Sequence, residues 1–114
     1  MADIKEVNQI NFDYNGNHYC LEYNRESVKR MEVAGFRPGE SGATPLIELD
    51  MLWAGAFYMH HRKESSNVIE KLLDKMKDKD KLLEALRNMV TETYNSLLDT
   101  NEDAEGNVEW TATL

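Results

Sequence analysis

Hydrophobic and polar positions divide the chain into a short alternating region followed by longer stretches of helical spacing. From Asn8 to Tyr23 the apolar residues recur every second position on both sides of Asn15-Gly16. That dipeptide supplies positive φ at both centres of a type I′ turn, so the segment predicts a β-hairpin. Pairing Tyr14 with Asn17 sets Phe12 opposite Tyr19 and Ile10 opposite Leu21. One face of the ribbon is then apolar, and Asn11, Asp13, Cys20 and Glu22 occupy the other.

Asn24 offers an N-cap to RESVKRMEVA, and Gly35 stands where a left-handed residue ends a helix. A helix of about three turns is expected, with Val28 and Met31 inward. FRPGESGATP at 36–45 contains both prolines and reads as the main internal loop, the most mobile part of the body. Leu46 to about Arg62 is apolar around most of its circumference and predicts a central helix, with His60, His61, Arg62 and Lys63 matching the dipole at its end.

Ser65, Ser66 and Asn67 offer caps to a third helix, in which Val68, Ile69, Leu72, Leu73 and Met76 recur. Asp80 is placed to cap a fourth, with Leu82, Leu83, Leu86, Val90, Tyr94, Leu97 and Leu98 on one stripe. The predicted fold class is α+β: an N-terminal β-hairpin packed on about four helices, one domain over residues 1–98. Residues 99–114 form a flexible acidic tail, in which Val108, Trp110, Ala112 and Leu114 alternate as in a strand. Such a segment either adds to its own hairpin or to a neighbouring protein.

Charge sharpens this picture. Thirteen Lys and Arg stand against 21 Asp and Glu, a formal net charge of −8, which disfavours nucleic acid as a partner. Five of the acids and none of the bases lie in 99–114. The single cysteine, Cys20, forms no internal bridge, and MADIKEVNQI lacks the apolar core of a signal peptide, so a soluble chain in a reducing compartment is expected. The longest uncharged run near the centre, Met51 to Met59, is far shorter than the roughly 20 residues that span a bilayer.

Catalytic and metal templates find no match in the sequence. Gly39-Glu-Ser-Gly-Ala43 lacks the last glycine of a nucleophile elbow, which leaves Ser41 without a catalytic context. His60, His61 and Glu64 carry metal-ligand side chains, but neighbouring histidines on a regular helix point about 100° apart. No base lies near Cys20 in sequence. No catalytic residue, cofactor or metal is expected. The candidate partner-binding residues are Trp53, Phe57 and Tyr58 on the central helix and Val108, Trp110 and Leu114 in the tail. The methionines Met31, Met51, Met59, Met76 and Met89 are read as core filling, although thioethers also suit adaptable apolar surfaces.

YCLEYNRESVKRMEVAGF at 19–36 and LWAGAFYMHHR at 52–62 resemble the tail assembly chaperones of long-tailed bacteriophages and prophages of Gram-positive hosts. The likeness runs over roughly residues 8–99. It implies a non-enzymatic chaperone that coats the hydrophobic, helical tape measure protein and helps recruit tail tube subunits, in the cytoplasm of the infected or lysogenic host. Such families often also make a longer form by translational frameshifting. A homo-oligomer is a further expectation, since sheet edges and tail could pair between copies. The competing reading is a small acidic adaptor or inhibitor that binds a folded host partner.

Overall fold

The structure, a computed structural model, describes residues 8–38, 44–98 and 108–113. Residues 39–43 of the loop expected at 36–45, Ser41 among them, the acidic segment 99–107 and Leu114 lie outside the described residues. The element order is β1 (Ile10–Tyr14), β2 (Asn17–Leu21), α1 (Arg25–Val33), α2 (Pro45–Phe57), α3 (Ser66–Lys75) and α4 (Lys79–Leu98). This is an α+β fold, a two-stranded antiparallel hairpin followed by four helices.

The hairpin has the predicted register, Tyr14 opposite Asn17, Phe12 opposite Tyr19 and Ile10 opposite Leu21. Asn15 (φ 50°) and Gly16 (φ 80°) take the two left-handed positions that the tight turn needs. Tyr19 and Leu21 are buried, and Phe12 stacks on Tyr19 at 5.1 Å between ring centres. Two donors on the outer edge of β2 are already partnered. Cys20 N–H donates to His61 Nε2 at 3.0 Å and Glu22 N–H to the Ala56 carbonyl at 3.3 Å. These two donors, two residues apart, point away from β1 and fasten the hairpin to the end of α2.

α1 begins with a reciprocal cap: Asn24 Oδ1 accepts from Ser27 N–H, and Asn24 N–H donates back to Ser27 Oγ, both at 2.8 Å. Val28 and Met31 face inward as predicted, and Gly35 ends the helix at φ 109°. α2 is the central helix and packs on β2, α1, α3 and α4. Leu49, Leu52, Trp53, Ala56 and Phe57 are buried along it. Gly55 lets α1 come close, since a Cβ at that position would overlap Sδ and Cγ of Met31.

α2 stops at Phe57, about five residues before the expected end. Tyr58 N–H bonds to Gly55 O and His61 N–H to Phe57 O at 2.8 Å, closing the chain into a turn. The hydrogen bond that the His61 ring accepts from β2 ties this turn to the hairpin. Histidines 60 and 61 are therefore turn residues, not a helix end. α3 starts at the predicted cap, Ser65 Oγ accepting from Val68 N–H. α4 starts one residue before Asp80, with Leu82 N–H bonded to the Asp78 carbonyl, so Asp78 (φ 52°) holds the cap position and Asp80 lies in the first turn.

Two tyrosine hydroxyls brace this core. Tyr23 donates to Leu52 O at 2.6 Å, and Tyr94 donates to Glu32 Oε2 at 2.6 Å, joining α4 to the end of α1. Burial pushes the Tyr23 hydroxyl well above its ordinary range. Burial and then the Glu32 carboxylate push Tyr94 up as well. Since both are raised in the folded chain, the stability they carry is fully present below the ordinary tyrosine value of 10.0 and is lost as pH rises from there through the folded values. Melting measured across pH 7 to about 12 should on this account be level up to about 10 and fall above it. Tyr23→Phe should cost about 1 kcal/mol at neutral pH and make the alkaline fall shallower.

Candidate functional site

No strand is assigned over 108–113, and the sheet among the described residues has two strands. Among the described residues, 108–113 add no strand to the hairpin. Val108 and Trp110 are 84% and 80% exposed. An indole left in water at the end of an acidic segment is the largest unpartnered apolar group in the tail.

The central-helix candidates separate. Trp53 and Phe57 are 1% exposed and belong to the core. The Trp53 indole N–H donates to Ile69 O at 2.8 Å, and its ring meets Phe57 edge-on at 5.2 Å and Phe12 at 5.9 Å. Neither offers surface in this conformation, because the hairpin and α3 close over that side of α2. Tyr58 is half-buried between two guanidinium groups, with Arg30 4.5 Å and Arg62 4.6 Å from its ring centre. Such stacking holds both cations over the ring faces. They border a groove of roughly 530 Å³ between α1, α2 and α3, floored by Met31, Met51, Ala54 and Ile69.

A second apolar region was not singled out by the sequence reading. Val33 is 90%, Leu46 77%, Ile47 60%, Leu97 42% and Leu98 77% exposed. Val33 follows Glu32, the acceptor of the Tyr94 hydroxyl, and Leu97 and Leu98 lie within about one turn beyond Tyr94. The free ends of α1 and α4 thus bring apolar side chains to one end of the bundle. The α4 periodicity runs on to Leu98, but among the described residues nothing covers Leu97 and Leu98 as the core covers Tyr94. Periodicity identifies a stripe and leaves its partner open.

At the opposite edge of β2, Cys20, Glu22 and His60 each place a ligand-type atom within 4.8 Å of the others. His60 Nε2 lies 2.5 Å from Glu22 Oε1, which also accepts from Gln9 Nε2 at 3.2 Å. Burial first, and the Glu22 carboxylate second, raise the Cys20 thiol above its ordinary range. His61, as acceptor through Nε2, is held in the neutral Nδ1–H tautomer. The sequence combination of His60, His61 and Glu64 is not the one assembled, because α2 ends before it.

No helix among the described residues is long and apolar enough to cross a membrane. A family model described as Domain of unknown function (DUF5055) matches residues 1–114, so the chain belongs to that family. No curated protein and no solved structure matches the chain.

Proposed function

We propose that this member of the DUF5055 family is a non-catalytic tail assembly chaperone of a long-tailed bacteriophage or prophage. It binds the apolar helical tape measure protein in the cytoplasm of the bacterial host and helps recruit tail tube protein. The observation that carries this reading is the set of large apolar side chains left in water on a strongly acidic chain. Val33, Leu46 and Leu98 lie at helix ends, and Val108 and Trp110 lie in the tail.

Exposed apolar groups grouped in this way mark a contact surface, and charge keeps their carrier in solution. A helical client offers a complementary stripe, with anchors spaced three and four residues apart. The resemblance at 19–36 and 52–62 supports the same reading. Trp53 and Phe57 act in it as scaffold, holding α2 in place.

The test is co-expression with a tape measure protein and recovery of the complex. Val33→Ser, Leu98→Ser and Trp110→Ala, combined, should leave the melting free energy within about 0.5 kcal/mol of the parent, since all three side chains are solvated. Client recovery should fall several-fold. Truncation after Leu98 should likewise spare melting, because 108–113 adds no strand to the sheet. Unchanged client recovery by the triple variant would remove the proposed surface.

A further inference from the structure

We propose that Cys20, Glu22 and His60 form a zinc-binding site between the hairpin and the turn after α2. Cys20 is in β2 and Glu22, two positions after it, immediately follows that strand, so the pleat directs both side chains to the same face of the ribbon. His60 comes from 38 residues beyond Glu22, delivered by the early end of α2. The thiol, carboxylate and imidazole ligand atoms lie within 4.8 Å of one another. Around a tetrahedral zinc ion, ligand atoms are separated by about 3.3–3.7 Å, given bonds of about 2.0–2.3 Å. Small side-chain rotations cover that difference.

The chemistry of the set selects the metal. A thiolate with an imidazole and a carboxylate is a borderline-soft donor group that suits zinc, whereas magnesium and calcium take oxygen ligands. Three protein ligands leave the fourth position to water. The site is held before any ion arrives. Cys20 N–H is fixed by His61 and Glu22 N–H by Ala56 O, which pin β2 against the turn. Gln9 Nε2 orients the Glu22 carboxylate.

Entry is open, since the His60 and Glu22 side chains are 38% and 21% exposed. On binding, the Cys20 thiol gives its proton to solvent and sulfur bonds to zinc as the thiolate, while the proton on His60 Nε2 is exchanged through solvent to Nδ1, so that Nε2 and the Glu22 carboxylate trade their hydrogen bond for two metal bonds. This inference is independent of client binding.

The experiment uses the untagged full chain, stripped with a chelator and titrated with zinc chloride by calorimetry. A parallel titration with cobalt(II) is followed by absorption. One zinc per chain, a melting temperature that rises with zinc, and a thiolate-to-cobalt charge-transfer band are expected. Cys20→Ser should abolish the band, and His60→Ala should weaken zinc at least about tenfold. His18→Ala, at the exposed pair with Asp13, should leave both unchanged. Absence of saturable one-to-one binding, a cobalt spectrum without the thiolate band, or parental affinity in both ligand variants would each overturn the site. If a variant does not fold, the cobalt spectrum of the parent chain decides.

Discussion

Trp53→Ala is expected to lower the unfolding free energy by about 3–5 kcal/mol, the range for removing a large aromatic side chain from a core. The indole is 1% exposed and lies between Phe12 and Phe57. Its loss opens a cavity where β1, α2 and α3 meet and leaves the Ile69 carbonyl without its donor. Domains of this size are stable by only about 5–15 kcal/mol, so a large share of the folded margin would disappear. Urea unfolding followed by far-ultraviolet circular dichroism measures the change. Trp53→Phe keeps an aromatic ring but loses part of the indole volume together with the N–H, and should cost about 1–3 kcal/mol. Parental stability in Trp53→Ala would mean that α2 does not carry the core.

The second large effect concerns an ion pair at the start of α2. The Glu48 side chain is 9% exposed, and both Nε and a terminal nitrogen of Arg87 in α4 donate to its Oε1. Arg87→Ala removes the partner and leaves a carboxylate facing the core, at a cost of about 2–3 kcal/mol. That is below the 3–5 kcal/mol of a fully buried pair, because the Arg87 side chain is 44% exposed and water can partly replace it. The double variant Glu48→Gln with Arg87→Met should recover most of the loss, since no buried charge remains. A double variant as unstable as Arg87→Ala alone would contradict this, and the same unfolding assay reads both.

The hairpin and its register were legible because an Asn-Gly turn and strict alternation constrain the same few residues together. The start of α1 was legible for a similar reason, as Asn24 and Ser27 cap locally. The end of α2 was not. LWAGAFYMHHR contains no glycine or proline at its end, and the turn that follows Phe57 is tied to β2 by a bond from Cys20, 41 residues away in sequence. That contact also brings His60 to Glu22, so the ligand cluster had no local signature.

Trp53 and Phe57 could be read in sequence as core or as binding residues, because an apolar helix shows no empty face, and only the packing of β1, β2 and α3 assigns those rings to the core. The reverse holds at Leu97 and Leu98. Their spacing continues the α4 stripe, but the other elements end before reaching them. Exposure at element ends depends on where neighbouring chains stop, a tertiary quantity that periodicity does not encode.

The most direct measurement is the solubility of the tape measure protein expressed with and without this chain. Recovery of the client in the soluble fraction, with this chain copurifying, is the predicted result. A client that remains insoluble while this chain stays free would contradict the chaperone account and favour an acidic adaptor for a folded host protein.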